Sequence, residues 1–389
     1  MDPKTNPFAP GAGSQPPELA GRDSVLSGAS VALARIKNRK PAKSVILVGL
    51  RGVGKTVLLN RIWEAAKDEG YRAVLIESHE DKRIEELLIP PLRQILFSLD
   101  VKENLSDKVK RGFRVLGSFA RAMKVKISEI ELSMDPELGS ADSGDLEADL
   151  GELFVAIGEA AADKNTAVAI CVDELQYLTE KELSALIMAV HRINQRNLPL
   201  TLVGAGLPQI VGLTGKSKSY AERLFDFPPV GKLDPKDSES ALQSPVRQNG
   251  VEFTNDAIQE ILRETRGYPY FLQQWGHESW NLAKQSPITI DDIKEASKLA
   301  IANLDQSFFR VRFDRLTPRE KEYMRALAGL GEGNQRSGEI AAALEVRPQS
   351  IAPIRSSIIK KGMIYSPAYG DTAFTVPLFG DFLIRTMPR

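Results

Sequence analysis

The sequence predicts an α/β protein: a parallel sheet covered by helices on both faces, then a helical region and a small C-terminal domain. Four apolar runs, at 44–50, 72–78, 166–174 and 198–206, are typical of strands buried on both faces. Helical segments separate these runs, and from Asp234 onward the apolar spacing is helical. A length of 389 residues is too great for one ordinary core and indicates two or three domains.

The overall composition excludes several classes of protein. The 51 Lys and Arg residues balance 51 Asp and Glu residues, so no global field favours nucleic acid or a membrane surface. A single cysteine, Cys171, excludes an internal disulfide framework, and the three histidines have no metal-ligand spacing. No window approaches 18 uninterrupted apolar residues. We therefore expect a cytoplasmic protein without a membrane partner.

The N-terminal third begins with a Pro- and Gly-rich segment, residues 1–18, which we expect to form a flexible arm. A helix is predicted from about Ser24, followed by the strand at 44–50. A Gly-rich loop, a helix over 55–70 and the strand at 72–78 complete a βαβ unit. Such a unit places the loop at the carboxyl end of the first strand.

Residues 80–165 form a charged insertion in the predicted sheet domain. Residues 102–126 carry eight basic and two acidic side chains, and residues 127–152 carry nine acidic and no basic ones. One interpretation is a self-complementary, solvated insertion. The other is a basic surface for nucleic acid or a protein partner.

The Gly-rich loop is a P-loop, the phosphate-binding motif in which four residues separate Gly49 from Gly54-Lys55-Thr56. Its backbone N–H groups and the amino end of the following helix favour a bound phosphate. Lys55 is expected to neutralise the β- and γ-phosphates of ATP, and the Thr56 hydroxyl is expected to bind Mg²⁺. The predicted nucleotide contacts are Gly49, Gly52, Val53, Gly54, Lys55, Thr56 and Val57. The core is thus predicted to have the P-loop NTPase fold.

The apolar strand ending in Asp173-Glu174 supplies the second half of such a site. Neighbouring parallel strands end at one edge of a sheet, so Asp173 is expected beside the Mg²⁺ ion. Glu174 is expected to act as the catalytic base on the attacking water. The alternative is a helix cap followed by a first-turn acid, with no catalytic role.

Together, these motifs resemble the AAA+ ATPases, and in particular the initiator-like and archaeal-type ATPases that overlap with the STAND signalling ATPases. Gly21-Arg22-Asp23 is similar to the box that precedes the P-loop in those families. Gly267-Tyr268-Pro269 is similar to their lid motif Gly-x-Pro. The resemblance implies that Gly21, Arg22 and Pro269 also contact the nucleotide.

The resemblance also implies an arginine finger at Arg223, which would complete the site of a neighbouring copy in a nucleotide-dependent homo-oligomer. The alternative is a surface arginine at a helix end. Two departures suggest slow hydrolysis: Gly204-Ala205-Gly206 occupies the place of a polar sensor, and the lid lacks a clear sensor arginine, although Arg266 lies nearby.

The C-terminal region resembles a winged helix. Helices are predicted over 318–329, 337–344 and 348–361, followed by two short strands around a turn at Gly370. The third helix would be the recognition helix, although Pro353 does not suit an undistorted helix. The predicted DNA contacts are Gln349, Arg355, Lys360 and Lys361. Such domains also bind proteins, and that alternative stays open.

The predicted organisation is an arm (1–18), an ATPase core (19–233), a helical lid (234–316) and a winged helix (317–389). The leading functional hypothesis is an ATPase with slow turnover that couples its nucleotide state to oligomerisation and DNA binding. The first rival is a STAND-like signalling switch whose C-terminal module binds protein. The second is an ATP-binding regulator with negligible turnover.

Overall fold

A five-stranded parallel sheet with the order β2-β3-β4-β1-β5 forms the centre of one of two compact units. The computed structural model describes residues 1–11, 13–99, 106–125 and 135–388. The sheet unit comprises Asp23–Val48 and Lys55–Pro229. The other unit, called here the lid unit, comprises Met1–Arg22, Gly49–Gly54 and Val230–Arg389. The strands are β1 Ser44–Val48, β2 Arg72–Glu77, β3 Val168–Asp173, β4 Leu200–Gly206 and β5 Phe225–Asp226.

Helices cover the sheet because the strands are apolar on both faces; β3 and β4 are buried along their whole length. Helix α6 begins at a capping box in which Thr179 and Glu182 exchange hydrogen bonds with each other's backbone. The helices of the sheet unit are α1 Asp23–Lys37, α2 Lys55–Asp68, α3 Ile84–Leu99, α4 Asp107–Ala122, α5 Leu146–Asp163, α6 Glu180–Gln195, α7 Gln209–Ser217 and α8 Ala221–Leu224.

The predicted charged insertion contains α3, α4 and α5, whose apolar sides belong to the core of the sheet unit. On α4, Arg111 forms ion pairs with Glu137 and Glu159, each at 3.0 Å, and Lys108 pairs with Glu159 at 2.9 Å. These pairs support the self-complementary interpretation over the basic surface. The segment is nevertheless not a solvated insertion, because Leu116 and Phe119 are fully buried. Residues 102–105 and 126–134 of the basic and acidic stretches lie outside the described residues.

The lid unit begins its helical part where the sequence predicts, since Asp234, Thr254 and Thr289 are the residues that precede its first, second and fourth helices. A π-helical segment, Leu304–Phe309, joins the last two helices of this part. The helices are α9 Pro235–Arg247, α10 Asn255–Thr265, α11 Pro269–Leu282, α12 Ile290–Asn303 and α13 Arg310–Asp314.

The C-terminal domain follows in the same unit, with a three-stranded antiparallel sheet of order β6-β8-β7. Its elements are α14 Pro318–Gly329, β6 Gln335–Arg336, α15 Ser337–Ala343, α16 Pro348–Lys360, β7 Ile364–Tyr365, β8 Asp371–Phe374 and α17 Phe379–Thr386. Helix α16 contains Pro353 without a break. Neither β6 nor α17 is predicted by the sequence; Phe379 and Phe382 of α17 are buried.

Aromatic side chains join the helices of the lid to the C-terminal domain. The Tyr270 ring stacks on Phe308, with 4.6 Å between centroids, and Phe309 stacks on Phe379 at 5.7 Å. Arg312 lies over the Phe308 ring at 3.8 Å. The phenylalanines of the run 308–315 therefore pack against α11 and α17.

The N-terminal arm is packed rather than free. Pro3–Thr5 form a short 3-10 turn, and the Phe8 side chain is buried on α11 beside Gly276. The indole of Trp280 donates a hydrogen bond to the Asp2 carbonyl at 2.9 Å. These contacts correct the expectation of a flexible segment at its N-terminal part.

Across the part of the chain that the structure describes, every helix is too short or too polar to cross a membrane.

Candidate functional site

The carboxyl edge of the sheet brings together the two predicted Mg²⁺ ligands, Thr56 and Asp173. Thr56 lies in the first turn of α2, and its hydroxyl donates a hydrogen bond of 2.6 Å to Asp173, the last residue of β3. Burial raises the pKa of Asp173, and Glu174 adds to that effect, while the Thr56 hydrogen bond opposes it. A buried carboxylate and a hydroxyl at this distance are the hard oxygen donors that Mg²⁺ prefers, so the residues present fit the ion.

Glu174 follows in an unusual backbone conformation, with a φ of 55°, in the left-handed region. The side-chain amide of Gln176 donates to the Glu174 carboxylate. The amide oxygen of Gln176 in turn accepts the N–H of Leu207 at 3.1 Å, just beyond the end of β4. Gln176 thus links the predicted base to the neighbouring strand. Sequence reasoning missed this residue, although its position two residues after Glu174 was visible.

The glycines that replace a polar sensor in β4 have a packing reason. A Cβ atom at Gly204 would lie 2.4 Å from Cδ1 of Leu175, which is buried. A Cβ atom at Gly206 would lie 3.4 Å from the Gln176 amide oxygen. The small residues on β4 therefore leave room for side chains from the turn after β3, and Gln176 supplies a polar group at this edge.

In the lid unit, the loop Gly49–Gly54 contacts both of the segments that resemble family motifs. The buried Arg22 guanidinium donates to the carbonyls of Val53 at 3.1 Å and Gly231 at 2.6 Å. Burial lowers the pKa of Arg22, and Asp237 partly offsets this effect. The N–H of Tyr270 donates to the Gly52 carbonyl at 3.2 Å. Arg22 and the start of α11 thus hold the loop through its backbone.

The remaining predicted nucleotide contacts are distributed as follows. Gly52 and Gly54 have φ values of 80° and 93°, which glycine adopts without strain. Pro269 is the first residue of α11, next to the residue that binds the loop. Lys55 and Val57 of α2 are both buried, and Gly21 precedes Arg22.

The same loop is also bonded to the C-terminal domain. The backbone N–H of Arg51 donates to the Thr375 carbonyl at 3.1 Å. The Arg51 guanidinium donates to the Gly362 carbonyl at 3.2 Å. Thr375 is fully buried, and its hydroxyl donates to the carbonyls of Gly362 and Met363. Nothing in the sequence signals this contact, because the residues lie more than 300 positions apart.

Arg266, which the sequence left without a role, also joins the two parts of the lid unit. Its guanidinium forms ion pairs with Glu332 and, at 3.7 Å, with Asp381. Both acids belong to the C-terminal domain. Arg266 is therefore held by carboxylates of that domain.

The predicted DNA contacts fall into two groups. Gln349 and Lys360 are exposed on α16. Arg355, in contrast, donates to the Thr372 hydroxyl at 2.7 Å and to the Asp371 carbonyl at 2.6 Å, inside the domain. Lys361 pairs with the buried Glu320 at 2.6 Å. Arg355 and Lys361 are thus already engaged in structural bonds.

Arg223, the predicted finger, is exposed near the end of the short helix α8, at the amino end of β5. This edge of the sheet is opposite the one that carries Asp173, because all five strands are parallel.

Among the described residues, no group of three or more His, Cys, Asp or Glu side chains has the arrangement of a metal site.

Comparison with known proteins agrees with this geometry. Residues 18–203 match the AAA ATPase domain, and residues 306–383 match a domain of unknown function. An uncharacterized HTH-type transcriptional regulator of Methanocaldococcus jannaschii is 25% identical over 344 residues, which cover 84% of this chain and 79% of that protein.

The fold is shown by the first of two solved structures that resemble this chain. A Walker-type ATPase of Pyrococcus abyssi superposes with a TM-score of 0.58 at 18% identity, covering 94% of this chain and 96% of that one. The Orc1 protein of Aeropyrum pernix, solved in complex with DNA, has a TM-score of 0.48 at 14% identity over 95% and 94% of the two chains. The α/β core has the predicted P-loop NTPase fold, and residues 18–203 are similar to the AAA ATPase domain.

Proposed function

We propose that this protein is an ATPase with slow turnover whose nucleotide state governs DNA binding by its C-terminal domain. The observation that carries the proposal is the bonding of Arg51, inside the phosphate-binding loop, to Gly362 and Thr375 of that domain. A loop that must fit around a triphosphate cannot change without changing these bonds. Binding of ATP and the position of the C-terminal domain are therefore coupled energetically.

The chemistry follows from the sequence motif and the carboxyl edge of the sheet. Lys55 neutralises the phosphates. Thr56 and Asp173 would hold Mg²⁺, and the ion would supply positive charge to the phosphate oxygens. Glu174 accepts the proton of the attacking water. The Gln176 side-chain amide donates a hydrogen bond to the Glu174 carboxylate and orients it. The small residues of β4 at the place of a polar sensor support slow rather than fast hydrolysis.

DNA binding is supported by the C-terminal domain and by one relative. The element order helix, strand, helix, helix, strand, strand supports the winged-helix interpretation. The relative from Methanocaldococcus jannaschii is described as an HTH-type transcriptional regulator. The proposed DNA contacts on α16 are the exposed residues Gln349 and Lys360. Arg355 and Lys361 are poorer candidates for DNA contacts, because both are engaged in bonds inside the domain.

A second function is favoured by those same internal bonds. Because Arg355 and Lys361 stabilise the domain, α16 offers few free cations, and a protein partner fits such a surface. In that case the chain is a nucleotide-dependent switch. Assembly into a homo-oligomer through Arg223 likewise stays a proposal, supported by the exposure of that side chain.

The test of ATP binding is Lys55→Ala, with exposed Lys284→Ala as the matched control. We expect Lys55→Ala to weaken ATP binding roughly 100-fold, since a charge-assisted hydrogen bond to phosphate is lost, and the control to bind as the parent does. Equal affinity in the two variants would overturn the proposed site.

The test of DNA binding is fluorescence anisotropy of a labelled duplex with ATP, ADP or no nucleotide, over a salt series. The proposal predicts an affinity that depends on the nucleotide and falls when Gln349 and Lys360 are both changed to alanine. Binding to a protein partner but to no duplex at any salt concentration would favour the switch instead.

A further inference from the structure

A basic pocket lies at the amino edge of the sheet, away from the predicted nucleotide site. It has a volume of about 360 Å³ and is formed where β1, β4 and β5 begin. Four cationic side chains line it: Arg39, Lys40, Lys43 and Arg223. Its floor is apolar, with Ile36 buried beneath the charges.

The four cations have no carboxylate partner within the described ranges of the chain. Lys43 donates to the Glu222 carbonyl at 3.0 Å, and Arg39 donates to the Ala162 carbonyl at 3.0 Å. Neither bond neutralises charge, and the pocket is lined by no acidic residue of the described chain. All four side chains are exposed. Like charges held together repel one another, so a bound anion would stabilise this cluster.

Several basic groups elsewhere in the described chain are paired with carboxylates. Lys108 and Arg111 of α4 are neutralised by Glu159 and Glu137. In the C-terminal domain, Lys361 is neutralised by Glu320. Lys108 and Arg111, from the most basic stretch of the sequence, thus contribute less free charge than the cations of this pocket do.

The ligand that suits the pocket carries several phosphates in a row. Arginine, lysine and asparagine side chains are the usual donors to phosphate oxygens, and Asn194 and Asn197 also line the pocket. A finger that acts on one transition state needs a single guanidinium, whereas four cations match an extended polyanion.

We propose that this pocket binds the phosphodiester backbone of a nucleic acid, as a second contact in addition to the C-terminal domain. The proposal rests on the proposed DNA-binding function and extends it to the sheet unit. Because the pocket offers cations but reads no base edge, its contribution is independent of sequence. It also gives Arg223 a different ligand from the one that the family resemblance implies.

The experiment compares two triple variants of the full chain by anisotropy with two unrelated DNA duplexes over a salt series. The pocket variant carries Arg39→Gln, Lys40→Gln and Lys43→Gln. The control carries Arg72→Gln, Lys181→Gln and Lys284→Gln, which remove the same charge from exposed sites outside the pocket.

We expect the pocket variant to bind both duplexes at least tenfold more weakly, with a salt slope smaller by about two to three, because each lost phosphate contact lowers the slope by roughly 0.9. The control is expected to match the parent within twofold. Should the pocket variant unfold, the single change Lys40→Glu serves instead, with the same direction of effect.

Three results would overturn the proposal. If the pocket variant keeps the parental affinity and salt slope, and only the Gln349 and Lys360 variant loses DNA binding, the proposed function stands but the pocket has no part in DNA binding. Unchanged DNA affinity with a loss of ATP-dependent assembly would assign the pocket to the nucleotide of a neighbouring copy. A parent that binds no duplex would remove both.

Discussion

The two edges of the parallel sheet differ in how their charged groups are held. At the carboxyl edge, Asp173 is bonded to Thr56, and Glu174 to Gln176. At the amino edge, Arg39, Lys40, Lys43 and Arg223 lie together without a carboxylate partner among the residues that the structure describes. Groups that perform chemistry are oriented in advance by neighbours. Cations that bind a large external ligand, as we propose for this pocket, have to be exposed in the free protein.

The largest effect is expected from Glu174→Gln, which removes the proposed catalytic base at the carboxyl edge of the sheet. Glutamine keeps the size and the hydrogen-bonding capacity of the side chain but cannot accept the proton of water. We expect turnover to fall roughly 10³-fold while ATP stays bound. Single-turnover hydrolysis and equilibrium ATP binding, measured side by side, check this. A variant that hydrolyses ATP at the parental rate would show that Glu174 is not the base.

The Glu320–Lys361 ion pair is an example of a cation that is neutralised within the protein, in contrast to the cations of the basic pocket. Burial alone would raise the pKa of Glu320, but hydrogen bonds from Lys361, Ser357 and Thr317 outweigh it and lower the pKa to about 2. A depressed pKa stabilises the fold above the unfolded pKa of about 4.3, and this stability is lost as the pH falls towards 2.

Glu320→Gln should therefore lower the free energy of unfolding by about 2 kcal/mol at neutral pH, since it leaves Lys361 without its partner. The difference from the parent should shrink between about pH 4 and pH 2, where the parent loses the same charge. Urea unfolding monitored at several pH values checks both statements. A difference that stays constant down to pH 2 would contradict the assigned pKa.

The bond between Gln176 and Glu174 sharpens the comparison further. If Gln176 orients the base, Gln176→Ala should lower kcat about tenfold and leave KM unchanged, because the residue touches no substrate. Gln176→Asn, which is shorter, should restore little. An unchanged kcat would leave Gln176 as a packing residue between the turn and β4.

The smallest effect concerns Arg223, for which the pocket interpretation and the arginine-finger interpretation predict opposite results. As a wall of the basic pocket, Arg223→Ala should weaken DNA binding about fivefold and leave turnover without DNA within twofold of the parent. As a finger on a neighbouring copy, it would lower turnover and spare DNA affinity. Mixing this variant with Glu174→Gln tests the second case, since active sites shared between copies would regain part of their activity.

The fold was largely predictable from the sequence because its signals are local. The apolar runs of β1 to β4 and the capping residues Asp234 and Thr289 each act within one element. The elements that were missed, β6 and α17, are short and depend on partners elsewhere in the domain: β6 pairs with β8, and Phe379 of α17 packs on Phe309.

The candidate site was predictable in its motifs and not in its contacts. Thr56 and Asp173 meet because parallel strands share an edge, which the sequence pattern implies. The role of Gln176, the bonds of Arg51 and the internal partners of Arg355 and Lys361 depend on segments far apart in the chain. Charge counts along the sequence could not distinguish the paired cations of α4 from the unpaired ones of the pocket.

The coupling between the phosphate-binding loop and the C-terminal domain is the central claim, and hydrogen exchange measures it most directly. Exchange of the backbone amides over residues 362–375 is followed with and without ATP, in the parent and in Arg51→Ala. We predict that ATP changes the exchange rate there severalfold in the parent, and that Arg51→Ala binds ATP yet loses most of that change. Equal exchange in the parent with and without ATP would contradict the coupling.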